Sequence, residues 1–511
     1  MSSTDMHEKA KASEKVSDVD VSSHDYTDVE TAPSNTLKRQ LKNRHIAMIS
    51  IGGVIGTGLF LGTATSLRDG GPIGLLLGYA VVGTICYSVM VSLGEMVAYL
   101  PIPGGHIRLA ERFVDPALSF TMGWNYWYNW TIILPAELSA ACRSHQLLEP
   151  VGSIKVITIT GLIILGIVLD LGGGPNHDRI GFRYWKEPGP FAQFNGISGS
   201  TGQFLGWWSV MTQAAFSFIG TEIVAIAAGE AKNPRRNLPK AIKRVYIRIL
   251  LFYIGGVTII GLLVPSSEPD LNITTSDAGK SPFVIAIKHA GIKGLPSVIN
   301  AALLTSAWSA ASSDLYTSSR ALYGLAIAGN APKIFLTTSK KGLPYVSIIF
   351  CSLFATLAYM GINAGSGKVF GWFANMTSVA GLMTWFGISV TYIRFHAGFK
   401  AQGFDRKSLP YASPLQPYAA WYAAIACIVI CFFSGWKVFL KDNWDVANFI
   451  TNYLPFALFP ILYCGAKLWR RVPIVKPLDM DFVSGLAEIE ADCYDEPPPR
   501  NWVEKFWGWL M

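Results

Sequence analysis

Residues 49–62 read ISIGGVIGTGLFLG, and residues 216–230 read FSFIGTEIVAIAAGE. Both stretches lie in membrane-length apolar segments, and both carry the same tripeptide, Ile55-Gly56-Thr57 in the first and Ile219-Gly220-Thr221 in the second. Glycine disfavours a helix interior by about 1 kcal/mol relative to alanine, so Gly53, Gly56 and Gly58 make local unwinding cheap. In hydrocarbon an unwound backbone survives only where it is buried in protein or lines a cavity. A matched pair of interrupted spans in two halves of a chain points to a transporter's binding site near the bilayer midplane.

The rest of the chain has the composition this requires. Apolar residues make up 51% and charged residues 15% of the 511 positions, which predicts an all-α integral membrane protein rather than a soluble domain. Hydropathy gives eleven spans, near 46–66, 74–100, 119–141, 151–171, 204–229, 245–264, 296–325, 344–362, 370–393, 418–440 and 446–469. They form one transmembrane domain over 37–471, between an acidic, disordered tail at 1–36 and a C-terminal tail at 472–511. The second tail turns aromatic at Trp502, Phe506, Trp507 and Trp509, which suggests docking to membrane or protein surface. The first residues are polar and acidic, so no cleavable signal peptide is expected. The net charge of +8 collects at span ends, where it orients the protein, and does not indicate a nucleic-acid partner. The seven cysteines, most of them inside spans, have no zinc spacing and read as small core hydrophobes. No metal site, Walker loop, HExxH, GxSxG or CxxC is present, so neither an ATP-driven pump nor an enzyme has its sequence basis.

Charge at the loops exposes a parity defect. The loop after the fifth span carries Lys232, Arg235, Arg236, Lys240, Lys243, Arg244 and Arg248, and the positive-inside rule places it in the cytoplasm. Loops after the seventh, ninth and eleventh spans agree, with Arg320 and Lys333, then Arg394 and Arg406, then Lys467, Arg470 and Arg471. The first span also starts inside, behind Lys38, Arg39, Lys42 and Arg44. Four spans precede the fifth, so the fifth would end outside, against its own basic loop. Equivalently, the two Ile-Gly-Thr spans would run parallel, where an inverted repeat needs them antiparallel. A missing crossing removes the conflict, and the abruptly polar junction Ala140-Ala141-Cys142-Arg143-Ser144-His145-Gln146-Leu147-Leu148-Glu149-Pro150 is where it would fall.

Several residues carry candidate chemistry. Unwound backbone at Gly53, Gly56, Thr57 and Gly58 would aim free N–H groups and a positive helix end at a carboxylate; the alternative is glycine notches for helix packing. Glu222, directly after Gly220-Thr221, would take an ammonium or exchange a proton, or else hold helices together as a buried acid. Glu137 is a second intramembrane acid, Asp314 a third that could pair with Arg320, and Glu95 ends the second span as either a gate or a packing residue. Lys155 opens the fourth span, where it would snorkel to the interface or shuttle a proton in place of a coupling cation. Phe216, Phe218, Trp372 and Phe373 are candidates for aromatic lids or for core and lipid contacts. Asn272-Ile273-Thr274 is a glycosylation sequon in a loop expected outside.

These stretches resemble fungal amino-acid permeases of the amino acid–polyamine–organocation superfamily. The likeness rests on GGVIGTGLFLG (52–62), GGPIGLLLGYAVVGTICYSVMVSLGEM (70–96), PGG (103–105), GWNYWYNW (123–130), IGTE with AGEAKNPRRNLPKAI (219–242) and SRALYGLAIAGNAPKIF (319–335). The resemblance implies twelve spans as a five-plus-five inverted repeat with two extra C-terminal helices. It also implies amino-acid import with protons by alternating access, at the plasma membrane, with both tails cytoplasmic. It needs no cofactor beyond the proton gradient. Its partners would be an L-amino acid, protons, the bilayer and ubiquitin-ligase adaptors at tail lysines such as Lys9, Lys11 and Lys15. By motif, Gly53, Gly56, Thr57 and Gly58 would hold the substrate carboxylate, with Phe216 as lid and Gly220, Thr221 and Glu222 beside it. Lys155 and Glu137 would join Glu222 in proton coupling. The family has a whole fourth span between PAELSAA and SIKV, where this chain has the short polar junction. Two alternatives stand beside transport: a non-transporting amino-acid sensor that keeps the site and signals through its tails, and, from that departure, an inactive, truncated or mis-spliced permease.

Overall fold

The structure, a computed structural model, describes residues 57–102, 104–141, 151–223, 249–272, 281–339, 342–486 and 501–502. Among them the regular structure is helical, with no strand: α1 Thr63–Tyr99, α2 Gly105–Phe113, α3 Pro116–Ala141, α4 Val151–Asp170, α5 Gly199–Phe218, α6 Gly255–Leu263, α7 Pro282–His289, α8 Leu295–Ile327, α9 Tyr345–Phe354, α10 Ser366–Ala401, α11 Tyr418–Phe432 and α12 Val446–Arg470. Four helical stretches among the described residues, Gly58–Tyr99, Gly367–Ala401, Tyr418–Phe439 and Val446–Arg470, are long and apolar enough to cross a membrane.

Most helices stand where the apolar segments predict them, and the differences have local causes. α1 absorbs the connection between the first two expected spans, kinking at Gly71 (φ 73°) before Pro72, whose ring lacks the N–H that would continue the ladder. The expected 344–362 span is α-helical to Phe354, tightens into a 3₁₀ segment at Ala355–Met360 and returns to an α-helical turn at Gly361–Ala364. α11 stops at Phe432, and a short turn, Trp436–Phe439, leads toward α12. At the head of α12 the Asp445 carboxylate accepts from the Ala447 and Asn448 N–H groups, satisfying helix-terminal donors.

Contacts set the helix directions. Gly78 packs on Val210, Tyr79 and Ser217 share a hydroxyl hydrogen bond (2.9 Å), and Cys86 Sγ faces Thr221 Oγ1, so α1 and α5 run parallel. Residues 58–70 run the other way along α5, with Gly58 beside Ser217 and Gly70 beside Gly206 and Val210. The described flanks of the two Ile-Gly-Thr segments are therefore antiparallel, where the count of charges and spans over the first half makes them parallel. The odd crossing sits elsewhere. α3 runs antiparallel to α10, since Met122 meets Gly387, Asn125 donates to the Ala380 carbonyl (2.8 Å), and Ile132 and Ala136 cluster with Val369 and Phe373. α4 runs parallel to α6, with Ile159 beside Gly256 and Gly166 beside Ile259, and α6 ends with Gly261 against Pro72. As a result α3 and α4 both run toward the end of the molecule that holds Asp69 and Pro72. The nine residues 142–150 between them are too few for a helical return, which takes about 20.

At the opposite, basic end the chain after α12 belongs to the folded body. The Val475 N–H donates to the Val114 carbonyl (2.8 Å), and Arg394 donates to the Val475 carbonyl. Gln402 Nε2 donates to the Met480 carbonyl (2.7 Å), and Arg112 donates to the Ser484 carbonyl (2.8 Å). Partial burial alone would raise the Asp481 carboxyl, but the Ser484 and Val483 N–H groups and the Arg112 guanidinium outweigh it and hold it below its usual value. Met480 and Phe482 are buried, with Phe482 stacked on Phe113 at 5.1 Å. Docking of the C-terminal tail therefore begins at Val475, ahead of the aromatic residues that suggested it. Trp502 is exposed, and Phe506, Trp507 and Trp509 lie outside the described residues.

Candidate functional site

The second break stands where the sequence puts it. α5 ends at Phe218, Ile219 turns extended (φ −62°, ψ 142°) and Gly220 takes φ 100°, a conformation open to glycine and strained for other residues. The chain turns here inside the bundle, because Thr221 is buried and Glu222 is fully enclosed. Glu222 Oε2 accepts from the Gly220 N–H (3.1 Å) and from Trp385 Nε1 of α10 (3.2 Å), while Oε1 is buried with no side-chain hydrogen-bond partner among the described residues. A buried carboxylate oxygen without a donor is costly and is an acceptor in waiting.

The first break is seen only from its far side. Gly53 and Gly56 lie outside the described residues, which begin at Thr57. Thr57 is buried, and its Oγ1 donates to Glu137 Oε1 of α3 (2.9 Å). Gly58–Gly62 then form a wide, π-helical turn. At Gly58 a Cβ would lie 2.9 Å from Ser217 Oγ and 3.0 Å from the Ser217 Cα, so the close approach of the two broken segments requires glycine there. Thus Thr57, Gly58, Glu137, Phe216, Gly220, Thr221 and Glu222 come from three separate elements to one region of the bundle.

A cavity of about 720 Å³ opens above this region, within the size range of small-molecule sites. Its wall includes Gly62 and Thr65 before and within α1, Thr212, Gln213 and Phe216 of α5, Asn375 and Ser378 of α10, and Asn448 and Asn452 of α12. Phe216 both lines the cavity and touches the Gly58 position, and its ring meets Phe370 of α10 edge-on at 5.8 Å. Glu137 and Glu222 are not among the described lining residues.

Other expected lid residues serve packing. Phe218 stacks on Tyr253 at 4.4 Å, Phe373 joins the α3–α10 cluster, and Trp372 Nε1 donates to Asn448 Oδ1 (3.1 Å). Glu95 is far from the breaks and fully buried at the basic end, paired with Arg406. Asp314 is buried, and Arg320 lies over the Tyr316 ring at 4.9 Å. Lys155 falls in the first turns of α4, with its side chain outside the described residues. Asn272 ends the turn Pro269–Asn272, its side chain likewise outside them. Cys86, Cys351, Cys427 and Cys431 are buried and Cys464 is exposed. Sequence reasoning missed Phe370 and Trp385. Their only local signal is an aromatic in an apolar span, shared with many core residues.

Comparison with known proteins adds identity to this geometry. The sequence model of the family described as amino acid permease matches residues 45–154 and 151–478. A proline-specific permease of Emericella nidulans is 40% identical, over 93% of this chain and 93% of the relative. A dicarboxylic amino acid permease of Saccharomyces cerevisiae is 40% identical over 87% of this chain and 79% of the relative. A lysine-specific permease of the same yeast is 38% identical over 92% and 82%. Among solved structures, a manganese transporter of Eremococcus coleocola superposes with a TM-score of 0.51 at 12% identity, covering 86% of this chain and 98% of that one; at that identity the likeness concerns the fold alone. From residue 45 to residue 478, and with these relatives along nearly its whole length, the chain belongs to the amino acid permease family.

Proposed function

We propose that this protein moves L-amino acids into the cell by proton symport and alternating access, at the plasma membrane with its basic end and both tails in the cytoplasm. The observation that carries the reading is the antiparallel meeting of the two broken segments, with Phe216 shared between them and one cavity, Glu137 bonded to Thr57 of the first and Glu222 following Gly220-Thr221 of the second. The substrate carboxylate is held by the backbone at Gly53, Gly56, Thr57 and Gly58, and Gly220 and Thr221 complete the pocket. Phe216 closes over the substrate. Glu222, with one oxygen unpartnered among the described residues, takes the proton or the substrate ammonium, and Glu137 and Lys155 share in the coupling. Relatives named for proline, dicarboxylic amino acids and lysine support the class of substrate without selecting a member of it.

We further infer that the chain as written lacks one crossing between α3 and α4. Support comes from the common direction of those helices, the nine residues between them and the two-part family match, whose segments meet at 151–154. The symport reading therefore applies to the chain with that crossing present, and sequencing the transcript across 142–150 tests it: an in-frame apolar segment restores the crossing and supports transport, and a transcript without one leaves an inactive, retained permease and overturns it.

Uptake of radiolabelled amino acids into permease-deficient yeast, with surface expression verified and the missing segment restored if the transcript holds one, tests the symport reading. Uptake should rise as external pH falls. Glu222→Gln should lower it by about tenfold or more, the scale of a coupling free energy between two ligands, and flatten its pH dependence. Uptake that ignores pH, or a Glu222→Gln variant with normal pH response, would overturn proton coupling through this acid.

A further inference from the structure

The cavity wall carries a charged cluster that the site below does not use. Asp69, at the cavity end of the 58–70 segment, is almost enclosed, with its side chain 6% exposed. Arg68 Nε and Nη2 both donate to Asp69 Oδ1 (2.9 and 2.8 Å), and Ser209 Oγ approaches Oδ2 at 3.4 Å. A second cation, Lys437 from the turn between α11 and α12, places its Nζ 3.2 Å from Asp69 Oδ2 and 4.5 Å over the centre of the Phe194 ring. Two cations thus share one carboxylate, and all three residues line the cavity.

Two features make this more than a staple. The Lys437 side chain is 36% exposed, and an ion pair with so exposed a cation adds little stability. An ammonium has three donors; one is directed to Asp69, and the Phe194 face offers an electrostatic seat rather than a hydrogen-bond acceptor. The remaining polar wall is neutral amide and hydroxyl, including Gln193, Asn195, Asn443 and Asn452. Such groups can orient a polar ligand but cannot balance a charge. A net positive wall at the mouth of a low-dielectric cleft attracts anionic groups and raises their local concentration.

We propose that Lys437, seated on Phe194 and anchored by Asp69, forms an outer subsite that takes the carboxylate of an incoming amino acid before it reaches the paired breaks. The ligand class is the free α-amino acid, zwitterionic or anionic; the matching amine without a carboxylate is not retained. The subsite rests on the family's amino-acid substrates, and it requires neither proton coupling nor a completed transport cycle.

The test needs no flux, so its failure is separate from that of the transport reading. Asn195, exposed beside Phe194 on the cavity wall, is replaced by Cys, and labelling by a membrane-impermeant thiol reagent is timed on the full chain in membranes. The same preparation without Asn195→Cys sets the background. A mixture of the protein L-amino acids should slow labelling several-fold, and the corresponding decarboxylated amines should not. Adding Lys437→Met should raise the concentration needed for protection by about tenfold, the loss of one charge-assisted contact. Lys437→Arg should keep protection, and Asp69→Asn should keep or strengthen it, because it removes a competing anion and leaves the ammonium. Absence of protection in the parent, equal protection by the amines, unchanged protection in Lys437→Met, or the same loss in Asp69→Asn as in Lys437→Met would each overturn the proposal.

Discussion

Glu95→Ala is expected to destabilise the protein by about 3–5 kcal/mol, the range for removing one partner of a buried ion pair. Glu95 has no exposed side-chain surface, whereas Arg406 is 27% exposed. The carboxylate accepts from Arg406 Nη2 (2.6 Å) and Nε (3.2 Å), from the Ser413 N–H (2.6 Å) and from the Tyr392 hydroxyl. It therefore ties α1 to α10 and to the loop that leads into α11. Truncation leaves the Tyr392 hydroxyl and the Ser413 N–H without this acceptor, and leaves the Arg406 guanidinium with only the Ser413 and Gln416 carbonyls in place of a counter-charge. Glu95→Gln should cost less, because one amide oxygen still accepts. Arg406→Lys should not rescue the geometry, since a lysine cannot reproduce the two-pronged contact. Apparent melting temperatures of the detergent-purified protein, followed by fluorescence-detected size exclusion, measure the effect. A Glu95→Ala variant as stable as the parent would sink this account of the basic end.

The C-terminal strap should show the second large effect. Phe482 is 1% exposed and sits among Phe113 (5.1 Å), Phe399 (5.4 Å), Phe395 (5.5 Å) and Phe404 (5.6 Å). Its carbonyl accepts from the Tyr99 hydroxyl (3.2 Å). Phe482→Ala removes a buried ring from four others, and truncations of this kind cost about 3–5 kcal/mol. Much of the loss should be local, because the strap follows α12, the last long helix among the described residues, and can leave the body without unfolding it. Limited proteolysis should then cut within 475–486 in the variant and spare the parent, with Phe482→Leu intermediate. Equal protease resistance in Phe482→Ala and the parent would show that the backbone bonds from Arg112, Arg394 and Gln402 hold the strap without the ring.

Most helices were legible because a membrane span needs length and apolarity, and both are local properties. The second break was legible because φ near 100° at Gly220 is a state that only glycine adopts readily. The parity defect was also legible, since charge at loops and the number of spans need no coordinates. Its resolution was not: the two breaks are antiparallel and the common direction belongs to α3 and α4, which follows only from which side chains meet.

By itself the sequence determined the helical membrane class, the positions of most helices, the glycine break, the family and the polar junction, since each is written in composition, period or motif within a short stretch. Tertiary structure alone decided that Glu137 reaches Thr57, that Glu95 meets Arg406, that Lys437 reaches Asp69 and that residues 475–486 fold back on the bundle. Those pairs are separated by 80, 311 and 368 positions. A carboxylate in an apolar segment announces that it needs a partner, because burial without one is costly; which distant residue supplies it depends on how the helices cross, and no local pattern records that.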